Sequence, residues 1–482
     1  MIDRRQFVRT AAAAAAGAVA LTCSDGVAQS SSRRRSVGRG QPVFRSSAGV
    51  LRAEVRVART EVSLGGRRAS LYTFNDSVPG PRFEARAGDA VTLRLDNALG
   101  EPTNLHYHGL HIPPTGAADN IFLHVPDGES FTYQFSIPPT HSAGLFWVHP
   151  HLHGTVARQV SCGLAMPFVI RGEVDAVPEI AAAEEHILVL QDFELDSNGN
   201  PVEPSMPDQM MGREGTVVTL GGAVSPVIGI RQGGLVRLRL INGSVSRHYR
   251  LAVQDHPLHI IGVDGGSLGA VRTVDEVLFA PGERLDILIE GRRGEGSFRL
   301  LNLPYDRGSM GMMGGMGRSG AQRATETLAT VQYRGASERT WTLPSSLPGA
   351  VEPLPPTSLP QRVFRLGMGM GMMTGGMTFT INGREFEANR IDSAPRVGTV
   401  EEWVYVNDTP MDHPMHLHTN SFQVIGSDGT PERAWRDIIK VGARQQARFR
   451  VRFEDFAGKA VQHCHILDHE DQGMMGTVES RA

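Results

Sequence analysis

The sequence predicts an all-β chain built from three consecutive β-sandwich domains. Three observations lead there. Fifty-five glycines and 29 prolines with only 6% aromatics suit many short strands joined by turns. At 482 residues the chain exceeds what one ordinary hydrophobic core supports. Most telling is a strand phrase written three times: GDAVTLRLDN at 88–97, GGLVRLRLIN at 233–242 and GTVEEWVYVN at 398–407. Each has a glycine turn, an alternating apolar strand and a terminal asparagine.

Two further phrases follow in the same order in every repeat. The first is DGESFTYQF from Asp127, PGERLDILI from Pro281 and GARQQARFRVRF from Gly442. The second is GLFWVHPH from Gly144, GSFRLLNL from Gly296 and GKAVQHCH from Gly458. Period-2 alternation in each phrase makes every unit a sandwich rather than a helical repeat. Domain one is expected over 42–172, domain two over 180–341 and domain three over 361–482. The Pro-rich stretch 343–360 is long enough to carry the chain across a neighbouring domain.

The N-terminus reads MIDRRQFVRT followed by an alanine-rich run. Arg4 and Arg5 before Phe7 resemble a twin-arginine export signal, expected over 1–28, with a basic, disordered leader over 29–41. The run is too short and alanine-rich for a membrane anchor, so a periplasmic or secreted protein is expected. Cys23 offers an alternative reading as a lipid-attachment site, for which Thr22 is a poor preceding residue. Net charge is −3, from 48 basic and 51 acidic residues, which gives no electrostatic case for a nucleic-acid partner. Only Cys23, Cys162 and Cys464 occur. A Cys162–Cys464 disulfide would consume a thiolate needed elsewhere, so Cys162 is expected free and buried.

That thiolate lies in HCHILDHEDQGMM, residues 463–475. Cys464 stands between two histidines, with His469 and Met474 downstream. A thiolate, two imidazoles and a weak thioether form the ligand set of a blue-copper electron-transfer centre. Alternate side chains of an extended strand face opposite ways, so His463 and His465 must serve a different metal from Cys464.

The repeats say which. Nine and eleven residues beyond Asn97 stand His106 and His108, and the same offsets from Asn407 give His416 and His418. Five and seven beyond Gly144 stand His149 and His151, and beyond Gly458, His463 and His465. In domain two the same offsets land on Leu251, Val253, Leu301 and Leu303. Eight histidines from domains one and three converge only between those domains, and eight are too many for one ion. A cluster of about three metals is expected. Pro150 occupies the place of Cys464 in domain one and Thr103 that of His413, so only domain three can assemble the mononuclear set His413, Cys464, His469 and Met474. His248 of domain two, with no thiolate partner, reads as an ordinary histidine.

Together HYHG, WVHPHLHG, HPMHLH and HCHILDHEDQGMM resemble the four copper motifs of the three-domain multicopper oxidases, the bacterial laccases and cuprous oxidases. The resemblance covers essentially the whole mature chain and implies cupredoxin-like Greek-key sandwiches holding four copper ions. It implies a type 1 copper at His413, Cys464 and His469 with Met474 axial, and type 2 copper at His106 and His416. One type 3 copper would sit at His108, His149 and His465, the other at His151, His418 and His463. The register and the family pattern both leave His153 out. The implied reaction couples one-electron oxidation of a small reductant to four-electron reduction of O2 to water, in a monomer. Glu470 matches a family position that feeds protons toward the cluster, and Asp119 falls near an acid beside type 2 copper, across a longer loop.

Two Gly-Met stretches bear on the reductant. Residues 308–317 hold Met310, Met312, Met313 and Met316, and 367–377 hold Met368, Met370, Met372, Met373 and Met377. Gly-Met alternation is expected to supply no stable apolar face. Soft thioethers select Cu(I), and similar segments overlie the type 1 site in cuprous oxidases, so Cu(I) is the favoured substrate. Phenols and aromatic amines, as in laccases, are the alternative, with another metal ion also open. A copper-free structural relative and a two-domain nitrite reductase are disfavoured, because every ligand is present and four His-x-His pairs fit a trinuclear site.

Overall fold

The computed structural model describes residues 41–308, 324–370 and 377–482. The export signal, most of the leader, Cys23, and Met310, Met312, Met313, Met316, Met372 and Met373 lie outside them. The fold is three two-sheet β-sandwiches in succession, each with its own core. In domain one the alternation of strand Val50–Leu64 sends Leu51, Ala53, Val55 and Val57 inward, and Ala90–Ala98 answers with Val91, Leu93 and Leu95. The two strands pair in parallel, flanked by Arg67–Phe74 and Ser130–Ser136.

The repeated phrase has a physical reason at both ends. Gly88, Gly233 and Gly398 open it with φ of +87°, +76° and +81°, a backbone region that disfavours a side chain. The terminal asparagine staples the loop that follows. Asn97 accepts from Leu99 N–H and donates to the carbonyls of Glu101 and Val125. Asn242 does the same with Ser244, Arg247 and Phe279, and Asn407 with Thr409, Met411 and Val441. A buried amide thereby satisfies loop backbone that no strand would cover.

Histidine-bearing strands are neighbours in both outer domains. His106–His108 pairs antiparallel with Gly144–His149, putting His106 opposite His149. His413–Leu417 pairs with Gly458–Cys464, putting His416 opposite His463. In domain two, Leu251 and Val253 of the corresponding strand are core residues.

The Gly-Met stretch departs from expectation. Arg362–Met370 is a strand, paired with Met377–Ile381 in a register that matches Met368 with Phe379 and Met370 with Met377. Met368 and Met377 pack against the third core. Gly-Met alternation has no apolar face on a helix, but at period 2 it gives a strand one apolar face, and Met368 lies on the side that packs. The 343–360 stretch is pinned rather than loose. Leu347 N–H bonds Gly269 O of domain two, while Leu354 N–H bonds Gln423 and Leu354 O accepts from Arg450, both of domain three. Among the described residues no helix is long and apolar enough to cross a membrane.

Candidate metal centre

Cys464 ends strand Gly458–Cys464 with its thiol in the third core, beside Met411, Met415, Ile466 and Met474, all fully buried. His413 Nδ1 lies 3.4 Å and His469 Nδ1 3.8 Å from its Sγ. Each imidazole is held from behind: Thr409 Oγ1 sits 2.8 Å from His413 Nε2, and Met210 O accepts from His469 Nε2 at 3.1 Å. The main-chain carbonyl leaves Nδ1 of His469 with a lone pair facing the sulfur. Met474 is tied to the thiolate residue through its carbonyl, which accepts Cys464 N–H at 3.0 Å. Burial pushes the Cys464 thiol up, so an ionised sulfur here needs a cation beside it.

The neighbouring residues face the other way. The donor atoms of His108, His149 and His465 lie within 4.8 Å of one another, as do those of His151, His418 and His463 and those of His106, His108 and His416. Only the HYH pair lies wholly within a strand; His151, His418 and His465 fall just past strand ends while keeping the alternation. Rings from the two domains interleave, His106 stacking on His418 and His108 on His416 at 3.8 Å. His149, His416 and His463 donate Nδ1–H to main-chain carbonyls of Pro150, Asp437 and Cys464, so each aims an Nε2 lone pair inward.

Those lone pairs collide without a cation. His463 Nε2 faces His151 Nε2 and His418 Nε2, each at 3.1 Å, and one lone pair can accept from at most one of them. His108 Nδ1, His149 Nε2 and both nitrogens of His465 are buried with no hydrogen-bond partner. Each such orphan costs about 1–3 kcal/mol, together comparable with the whole stability of an ordinary domain. Burial holds His106, His108, His151, His416, His418 and His465 well below the ordinary histidine range, and His149 down to about 3. Neutral imidazoles aimed at a common point fit copper ions.

Both predicted acids reach this cage. Asp119 accepts from Tyr107 N–H at 2.8 Å and holds His106 Nδ1 at 2.9 Å, with His418 Nδ1 at 3.7 Å; burial pushes it up to about 8. Glu470, fully buried, lies with one carboxylate oxygen 3.1 Å from His463 Nδ1 and the other 3.5 Å from His151 Nδ1, neither oxygen hydrogen-bonded. Cys162 is free and buried. His153 lies apart from the cage, its ring against Phe386. His248 is a buried histidine bonded to Ser246 O.

Several neighbours went unread in the sequence. Met210 and Met206 belong to a short domain-two helix, Met206–Met211, that Ser205 caps. It covers His469 and, with His153, Met377, Glu385, Phe386 and Asp471, lines a cavity of about 510 Å³. Asp437 contacts His108 and His416. The methionines of MPDQMM stand plainly in the sequence, but nothing local ties them to His469.

Comparison with known proteins agrees with this architecture. Three multicopper oxidase family models match residues 56–175, 185–336 and 360–482. A solved multicopper oxidase from Campylobacter jejuni, described as a metallo-oxidase, is 30% identical with a TM-score of 0.80, over 93% of this chain and 96% of that one. A laccase-like multicopper oxidase from Ochrobactrum sp., described as active towards lignin model compounds and lignosulfonate, is 26% identical with a TM-score of 0.78, over 91% and 99%. The cell division protein FtsP of Escherichia coli is 29% identical over 91% of this chain and 90% of its own. The fold and site define a three-domain cupredoxin-type copper protein. The chain belongs to the multicopper oxidase family.

Proposed function

We propose that the chain binds four copper ions and passes electrons from a small reductant to O2, with Cu(I) the favoured reductant. The observation that carries this is the division of labour at residues 463–465: Cys464 faces His413 and His469, while its chain neighbours face two different histidine groups. When bound, the coppers would supply one-electron oxidation at the Cys464 set and reduction of O2 to water at the eight-histidine cage. On this reading Cys464, joined by single peptide bonds to His463 and His465, is the short covalent path between the two. Asp119 holds His106 in place, and Glu470 holds a proton-accepting group within reach of two ligands.

The cavity beside helix Met206–Met211, whose Met210 carbonyl holds His469, supports the choice of reductant. Met206, Met210 and Met377 bring thioethers to it, with the polar side chains of His153 and Glu385 beside them, a soft lining suited to Cu(I). Its size also admits a phenol, which favours the laccase reading second. The twin-arginine-like N-terminus supports action outside the cytoplasm, where Cu(I) removal confers copper tolerance.

Purified protein reconstituted with copper tests these together. Copper per chain, blue absorption, and steady-state rates with Cu(I), Fe(II) and a phenol are measured for the natural chain and for Cys464→Ser. Expected are four coppers, blue colour lost only in Cys464→Ser, and a higher kcat/KM for Cu(I) than for the phenol. Substantial oxidation by Cys464→Ser sinks the electron path, a phenol preference makes it a laccase, and a chain that takes up no copper is a non-catalytic relative of the FtsP kind.

A further inference from the structure

Domain two holds none of the ligands proposed above, yet one of its side chains reaches the cage. Arg284 opens strand Arg284–Glu290 and is only 1% exposed. Its guanidinium is gripped by all three domains. It donates through Nε to Leu145 O of domain one at 3.0 Å, through Nη1 to Gly282 O of its own domain at 3.1 Å, and through both Nη1, at 2.6 Å, and Nη2 to the two carboxylate oxygens of Asp437 in domain three. In the repeated phrase the corresponding residue of domain one is Ser130, so the arginine belongs to domain two's copy, PGER, and not to the shared sandwich pattern.

Asp437 is where this grip meets the histidines. Its Oδ1 lies 3.1 Å from His108 Nε2, and its main-chain oxygen accepts His416 Nδ1–H at 2.8 Å. Arginine offers donors only, so the carboxylate that receives its fork acts as acceptor, and His108 Nε2 must carry the hydrogen. His108 therefore turns Nδ1 inward, where it is buried without a partner. That is opposite to His149, His416 and His463, which turn Nε2 inward. A residue presenting the other nitrogen needs a device that the strand repeat does not provide.

We propose that Arg284 is a positioning residue of the trinuclear centre: by clamping Asp437 across the domain junction it fixes His108 with Nδ1 presented and His416 with Nε2 presented. Domain two, without ligands, thereby sets the geometry of ligands from the other two domains. The proposal rests on the copper reading above. A bidentate fork is what matters, because lysine is a single point charge that cannot hold both oxygens in one plane.

The test uses the full chain reconstituted with copper, comparing Arg284→Lys and Arg284→Met with Arg237→Met. Arg237 is an equally buried domain-two arginine paired with Asp286 at 2.6 Å, away from the histidines, and reports the cost of losing a buried charge alone. Read out are copper per chain, the blue absorption of the Cys464 site, and the EPR signature of magnetically paired against isolated copper. Both Arg284 variants should keep the blue colour while trinuclear copper affinity falls about 10–100-fold, with isolated-copper signals replacing the paired one; Arg237→Met should keep the paired signature. Full trinuclear loading with an unchanged paired signature in a folded Arg284→Lys protein overturns the proposal, as does the same loss in Arg237→Met. A natural chain with no trinuclear copper overturns the copper reading instead.

Discussion

At position 464 a single side chain separates two otherwise matching strand ends. Pro150 stands there in domain one, and His149 and His151 flank it as His463 and His465 flank Cys464. The histidines were legible because strand alternation and the repeat register each place them independently, so an accidental His-x-His could be told from a systematic one. What held them was not legible. Pro150 O, Cys464 O, Asp437 O and Met210 O are main-chain acceptors that carry no residue-type signal. Glu470 shows the limit: its place beside His469 was readable, its span from His463 to His151 was not. Glu470→Gln keeps the shape and removes the proton-binding oxygen. It should lower O2 turnover by about 10²-fold or more at normal copper content and with blue colour intact, followed by oxygen uptake. Unchanged turnover would remove Glu470 from the mechanism. Gly109, with φ of +84°, is a second residue-scale test: a Cβ there would strike Arg284, Asp437 and Phe146. Gly109→Ala should destabilise by about 1–3 kcal/mol in urea and loosen trinuclear copper with it.

Among the elements, the paired strands Arg362–Met370 and Met377–Ile381 give two of the Gly-Met methionines a packing role. Met368 and Met377 fill the margin of the third core, so they contribute to stability whatever else they do. The expectation that Gly-Met alternation has no stable apolar face overlooked period 2, at which Met368 lies on the packed side of its strand. The distinction yields a sharper experiment than deleting both stretches. Replacing Met310, Met312, Met313, Met316, Met372 and Met373 with serine should cut the Cu(I) rate about tenfold or more if thioethers dock the ion, with phenol oxidation and melting temperature unchanged. Equal Cu(I) rates would end the docking idea. Replacing Met368 and Met377 should instead cost about 1–2 kcal/mol, below the loss at a fully buried methionine, seen as a lower urea midpoint. The helix Met206–Met211 shows why part of the site stayed hidden. Its carbonyl reaches His469 from another domain, a contact that no local pattern announces.

Taken as a whole, the molecule closes ten histidines into two neighbouring sites that water does not reach, and this couples copper, folding and pH. In the folded chain burial holds His106, His108, His151, His416, His418, His465 and His469 well below the ordinary histidine range, and His149 and His413 down to about 3. In the unfolded chain each titrates near the ordinary 6.5. Below 6.5 the unfolded chain binds more protons at these nine histidines than the folded chain holds on its buried acids, Asp119 and Asp471 with pKa about 8 and Glu283 about 7, so stability rises with pH through this window and is lost as pH falls from 6.5 toward 3. Each histidine can contribute up to about 1.4 kcal/mol per pH unit there, and they act together because the cage opens as one. Copper adds to stability by binding only the folded arrangement. These nine imidazoles are already deprotonated at pH 5.5, while the Cys464 thiol and Asp119 hold protons there, so copper should still bind the histidines. Chelator-treated protein should therefore show a urea midpoint that changes little from pH 7.5 to 7 and falls steeply from 6.5 to 5.5. Copper-loaded protein should lie above it at every pH, with a similar slope. A flat profile for the metal-free chain would mean that the histidines are solvated and charged in the folded state, and that the closed cage forms only around its metals.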